Sequence, residues 1–184
     1  MGMTDDPKAG LNAVAQAARQ APGRGLPPVH LWNPAHCGDI DILIRRDGIW
    51  VHEGSPIGRK ELVRLFSTIL RKDPDGYHLV TPVEKLKIAV EDLPFRAVAL
   101  GREGADLILT TDVGDEVRVS AADPIVVDTD PATGEPSPRV HVRRDLWARI
   151  ARPVFYELVE LAEPVDGRLM VHSGGGAFSL GALT

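Results

Sequence analysis

Cysteine is almost missing from this chain. Cys37 stands alone among 184 residues, so no intrachain disulfide can form, and a reducing compartment suits the composition. Basic residues fall short of acidic ones, 21 against 26, for a net charge of −5. A net-acidic chain is a poor partner for a polyanion, so no nucleic acid is expected. No apolar run is long enough to span a bilayer. The opening MGMTDDPKAG is polar and acidic and carries no apolar signal core. A myristoylation pattern fails because Asp6 takes the hydroxyl position. These absences point to a soluble, cytoplasmic protein. What is present is 43% hydrophobic residues, enough to pack a core.

The elements follow from periodicity. Residues 7–20 read as a helix: Asp6 caps it, Pro7 suits its first turn, and Leu11, Val14, Ala15 and Ala18 share one face. Pro22-Gly23 stops it. Residues 21–39 are rich in proline and glycine and read as an irregular, partly packed loop, since Leu31 and Trp32 call for burial. Ile40, Ile42 and Ile44 alternate before Asp47-Gly48, and Ile49 to His52 follow, which predicts a β-hairpin with a two-residue loop. That loop sets Ile44 opposite Val51 and Arg45 opposite Trp50. Ile42, Ile44 and Val51 then share the core face, and Arg45, Trp50 and His52 the other.

A second helix is predicted over 58–71, with Leu62, Leu65, Phe66, Ile69 and Leu70 on one side, ended by Asp73-Pro-Asp-Gly76. Tyr77–Thr81 and Val83–Glu91 read as strands. After Pro94 come short strands at 95–100, 105–111, 116–120, 125–128 and 139–142, in the spacing of an antiparallel meander. A helix is expected from Arg143, with Pro153 kinking it or opening another. A hairpin over 169–180 closes the pattern. Short stretches recur: Arg59-Lys-Glu-Leu62 with Arg143-Arg-Asp-Leu146, Asp75-Gly76 with Asp166-Gly167, and Val51-His-x-Gly54 with Val171-His-x-Gly174. They suggest a duplicated strand–helix–strand unit and a boundary near Asp92. The expected domains are 1–92, α+β, and 93–184, β-rich with a helix.

The chemistry is thin. WVHEGSPIGRKEL (50–62) runs a strand into glycines and then into Arg59 and Lys60 at a helix start. A Walker loop needs four residues between its glycines and a hydroxyl after lysine; here there are three residues between Gly54 and Gly58, and Glu61 follows Lys60. Two readings remain: a helix N-terminus reinforced by Arg59 and Lys60 that holds a phosphate, or a turn with a solvated basic pair. His30, His36, Cys37, Asp39 and Asp41 do not have the spacing of a zinc set, and no metal is expected. Cys37 is a redox candidate beside the plainer reading of a small buried thiol. DTDPATGE (128–135) lacks the glycine and ligand positions of a calcium loop and reads as a turn. No Ser-His-Asp set is visible, so no catalytic residue is assigned. Arg45 with Trp50 suggests a cation–π pair on a polar-aromatic face. Glu84 and Lys85 follow a strand break at Pro82, where one of them can point into a cleft.

LWNPAHCGDIDILIRRDGIWVHEGSPIGRKELVRLFSTIL, DGYHLVTPVEKLKIAVEDLPF and RPVFYELVELA resemble the proteobacterial domain-of-unknown-function family 1285, from about Leu31 to the C-terminus. Gly54-Ser-Pro-Ile57, Leu79-Val-Thr-Pro-Val-Glu-Lys85 and Phe155-Tyr-Glu-Leu158 carry the likeness best. The resemblance implies a repeated α+β motif and a C-terminal half similar to pleckstrin-homology folds. It also implies a nucleotide-like ligand between the halves and a role in signal transduction.

The expectation is therefore a two-part α+β protein that binds or senses a small molecule without catalysis and without a resident cofactor. Its candidate ligand residues are Trp32, Arg45, Trp50, His52, Arg59, Lys60, Thr81, Glu84, Lys85 and Tyr156. The alternative is a protein–protein adaptor that works through the C-terminal domain.

Overall fold

The computed structural model describes residues 7–20 and 25–184; the expected cap at Asp6 and stop at Pro22-Gly23 lie outside the described residues. The fold is mixed α+β, with three α-helices among the described residues and mostly antiparallel sheets. The chain divides into two compact units, Met1–Glu91 and Asp92–Thr184. Among the described residues, no helix is long and apolar enough to cross a membrane.

In the first unit, helix α1 (Pro7–Arg19) buries Val14, Ala15 and Ala18. Strand β1 (His36–Ile44) turns into β2 (Trp50–His52) through a loop that corrects the sequence reading. Arg45 N–H donates to the Ile49 carbonyl at 2.9 Å, and Gly48 N–H donates to the Arg45 carbonyl at 2.9 Å. Three residues, not two, fill the loop, and Gly48 takes a φ of 86°. This is a type I turn finished by a left-handed residue. Ile44 therefore faces Trp50, and Ile42 faces His52. The shift of one residue turns Trp50 to the same side as Ile42 and Ile44, and all three are buried.

β3 (Ser55–Pro56) follows, then α2 (Lys60–Thr68), shorter than the predicted 58–71. The hydroxyls of Ser67 and Thr68 donate to the Arg64 and Leu65 carbonyls at 2.6 Å, at the point where the helix ends. Leu70 then opens β4 (Leu70–Asp73), so Asp73-Pro-Asp-Gly76 joins two strands rather than ending a helix. β5 (Gly76–Val80) and β6 (Glu84–Val90) complete a sheet in the order β3-β2-β1-β6-β5-β4, with β1 and β6 parallel at its centre. Phe66 of α2 is fully buried, as are Ile69, Leu70 and Leu79. On the other side of β4, Arg71 donates to the carbonyls of Val29 (2.8 Å) and Trp32 (2.7 Å), which pins the proline-rich loop to the strand.

The second unit opens with β7 (Phe95–Glu103), β8 (Asp106–Thr111), β9 (Glu116–Arg118), β10 (Ile125–Thr129), β11 (Pro136–Arg143) and β12 (Leu146–Ile150). They form a sheet in the order β10-β11-β12-β7-β8-β9. The expected antiparallel meander is thus interrupted by a parallel β7–β12 pair. The helix expected from Arg143 is a tight turn, with Arg144 at φ 49°, followed by β12. Leu146, Ala148 and Ile150 alternate into the core, which is the period of a strand. Pro153 lies in the first turn of α3 (Arg152–Leu161), where its missing N–H costs nothing.

β13 (Glu163–Val165), β14 (Arg168–Ser173) and β15 (Gly176–Ala182) make a three-stranded sheet. The buried Ser173 hydroxyl stitches it to the larger one: it donates to the Val119 carbonyl at 2.7 Å and accepts the Leu107 N–H at 2.8 Å. Gly174 sits so close that a Cβ there would lie 2.7 Å from the Val119 carbonyl oxygen, at a φ of 57°.

Candidate functional site

Glu53 and Gly54 both have positive φ, 47° and 80°, as a two-residue hairpin turn requires. The turn reverses β2 into β3 and pairs His52 with Ser55. The Ile57 N–H still reaches the Trp50 carbonyl at 2.8 Å, after which Gly58 releases the chain into α2. Arg59 occupies the N-cap position in an extended conformation, and its side chain makes no capping hydrogen bond. The first turn of α2 is therefore uncapped by a side chain, and its N–H groups and dipole favour negative charge. Glu61 supplies one such charge locally.

This corner bounds a cavity of about 390 Å³ lined by His52, Ser55, Pro56, Ile57, Gly58, Arg59 and Leu62, with Leu11 and Asn12 of α1 closing it. One part of the lining is apolar (Leu11, Pro56, Ile57, Leu62). The remainder offers donors: the imidazole of His52, the hydroxyl of Ser55, the amide of Asn12 and the guanidinium of Arg59. Arg59 is exposed and pairs with no acid among the described residues.

Of the candidate residues, the cavity gathers His52 and Arg59. Lys60 is exposed one position further along α2 and does not line it. Trp50, expected on the ligand face, is 2% exposed and stacks on Phe66 at 6.5 Å with an interplanar angle of 24°. Arg45 makes no cation–π contact with it and pairs with Asp47 at 2.9 Å. Both corrections come from the extra loop residue. Trp32 is half-buried and gives its carbonyl to Arg71. Thr81 is fully buried, and its hydroxyl oxygen accepts the Glu84 N–H at 3.2 Å, so it braces the bend into β6.

Glu84 is half-buried at the start of β6. Lys85 pairs with Asp73 at 3.0 Å. The hydrogen bond from Arg71, with lesser help from Lys85, holds the Asp73 carboxyl below the ordinary carboxylate range. Tyr156 belongs to the second unit, where it is 57% exposed on α3. Cys37 is exposed rather than buried, as are His36, Asp39 and Asp41.

The sequence reading missed Leu11, Asn12 and the Ser55–Gly58 lining. The type I′ turn at Glu53-Gly54 was the available signal, because it carries β3 directly to the helix start.

Comparison with known proteins agrees with the division of the chain. Residues 27–93 match the family model described as the N-terminal domain of a domain of unknown function (DUF1285), and residues 94–180 match the C-terminal domain of the protein of unknown function (DUF1285). Among curated proteins, none matches. The chain is similar to the crystal structure, at 2.50 Å, of a DUF1285 family protein from Silicibacter pomeroyi DSS-3. Identity is 46%, coverage is 92% of this chain and 95% of that one, and the TM-score is 0.82. It is also similar to a DUF1285 family protein from Shewanella baltica OS155, solved at 1.40 Å, with 27% identity, coverage of 65% and 90%, and a TM-score of 0.53.

Proposed function

The chain belongs to the DUF1285 family, and from that premise we propose that its N-terminal unit is a non-enzymatic binding module for a small anionic ligand of nucleotide-like chemistry, serving in signal transduction. The observation that carries the reading is the cavity beside α2, where an uncapped helix start, Arg59 and His52 meet an apolar wall. An anionic group would be held by the N–H groups of the first turn and by Arg59. A flat apolar body would lie along Leu11, Pro56, Ile57 and Leu62. The volume falls within the range of small-molecule sites. No acid–base pair lines the cavity, which supports binding over turnover.

Thermal-shift and calorimetric titration with mono- and dinucleotides tests the reading. Stabilisation by at least one anionic nucleotide, lost in Arg59→Ala, is the expected result; a flat response across the panel rejects it. The adaptor reading has its own support in the second unit, where Tyr156, Leu161, Val165 and Leu183 are exposed. It predicts a stable protein partner retained by residues 92–184. The likeness of this unit to pleckstrin-homology folds belongs to the same proposal, supported by a sheet followed directly by the helix α3.

A further inference from the structure

The β4–β5 hairpin carries a second cluster, unrelated to the cavity. Asp73 ends β4, Asp75 lies in the turn and His78 is on β5. One donor atom from each falls within 4.8 Å of the others. His78 is the telling member. Its side chain is 3% exposed, and its Nδ1 is buried without a hydrogen-bond partner. That nitrogen faces Asp73 Oδ2 at 3.6 Å, while Nε2 lies 3.5 Å from Asp75 Oδ2. Both gaps are too long for a hydrogen bond of ordinary strength. They approach the ligand-to-ligand edge around a tetrahedral cation with bonds of about 2.0–2.1 Å, an edge of roughly 3.3–3.4 Å. A buried ring nitrogen without a partner is a rare condition that a bound cation relieves.

The neighbouring charges decide how a cation would enter. Arg71 holds Asp73 with two hydrogen bonds, at 2.8 and 3.0 Å, and is itself fixed by the carbonyls of Val29 and Trp32. Lys87 lies opposite His78 on β6. Lys85 approaches from the same strand, with Nζ 3.0 Å from Asp73 Oδ2 and its side chain 23% exposed. Lys85 is therefore the charge nearest the open side of the cluster and the one free to swing into water. Asp75, 61% exposed, leaves the cluster accessible.

We infer that Asp73, Asp75 and His78 form a binding site for a divalent transition metal of zinc-like preference, with Lys85 as the resident cation that the metal displaces. One imidazole with two carboxylates suits zinc or cobalt better than magnesium or calcium, which favour all-oxygen sites.

The test uses the full chain, stripped with chelator, in a Cys37→Ser background so that the exposed thiol contributes nothing. Cobalt(II) is the probe. The expected result is uptake of a single equivalent with the visible absorption of a tetrahedral site, displaced by zinc. Asp75→Asn, at an exposed turn position that leaves the fold intact, weakens uptake by about tenfold or more. Lys85→Met tightens it by removing the competing charge. Absence of uptake overturns the inference, as does uptake indifferent to Asp75→Asn or weakened by Lys85→Met.

Discussion

The two units share one strand order and differ in what is built onto it. In the first, the sheet runs β3-β2-β1-β6-β5-β4; in the second, read from its other edge, it runs β9-β8-β7-β12-β11-β10. Each is a three-stranded antiparallel run, then another, joined by the parallel pairing of its first and sixth strands. The additions fall in different places. The first unit inserts α2 between its third and fourth strands, and the cavity opens at the start of that helix. The second unit spans the same step with a short loop, in which the Ser120 hydroxyl accepts the Asp123 N–H and Asp123 pairs with His141 at 2.7 Å. It adds its helix after the sixth strand and covers itself with a third sheet. The sheet is the common frame, and the chemistry sits in the insertions.

The largest test of this separation is core truncation. Phe66→Ala in the first unit and Phe95→Ala in the second each remove a fully buried ring, at a cost of about 3–5 kcal/mol. Hydrogen exchange should show each loss confined to its own unit; equal loss in both would mean a single cooperative body. Next comes the stitch peculiar to the second unit. Ser173→Ala leaves the buried Leu107 N–H unpaired and should cost about 1–3 kcal/mol by chemical denaturation. Gly174→Ala should cost at least as much, since it adds a clash with Val119 to a left-handed backbone. If both are silent, the third sheet is ornament.

A smaller effect depends on pH. The Asp106 carboxyl accepts the Gly174 N–H at 2.8 Å and pairs with Arg118, and these hold its pKa below the ordinary value. Its contribution is complete above the ordinary carboxylate pKa and is lost as pH falls through the lowered folded value. Asp106→Asn should therefore be less stable than the parent at neutral pH, and the difference should close in acid. A gap that persists there would assign the effect to shape instead of charge. Smallest of all, Arg59→Ala should change stability by less than about 0.5 kcal/mol, because the side chain is exposed and unpaired. Its effect should appear only in anion titrations.

The α+β class and most strand positions were legible because alternation is local: Leu86 with Ile88, and Val171 with Ser173, point inward on a period of two. What failed was counting at turns. Arg46, Asp47 and Gly48 make one more loop residue than Asp-Gly alone suggests, and that single unit moved Trp50 from the candidate site into the core. Ile69 and Leu70 continue the helical spacing of α2 in the sequence, yet Leu70 pairs with Leu79 in a strand. Long-range pairing overrode a local pattern.

The recurrence was sensed but misplaced. Arg59–Leu62 opens a helix, whereas Arg143–Leu146 turns between strands, so the matched letters are not equivalent positions. The repeat resides in strand order, which periodicity does not report. Of the site, His52 and Arg59 were readable from the basic helix start, and Leu11 and Asn12 were not, since only tertiary packing brings α1 to that corner.

A chain that writes one strand order twice offers each half a counterfeit partner during refolding: β12 resembles what β1 seeks, and β6 what β7 seeks. The register break in β1 between Asp39 and Leu43, which β6 accommodates, gives that edge a shape the continuous β7–β12 pairing lacks. The irregularity acts as a key, making the wrong sibling strand a poor fit before any side chain is compared.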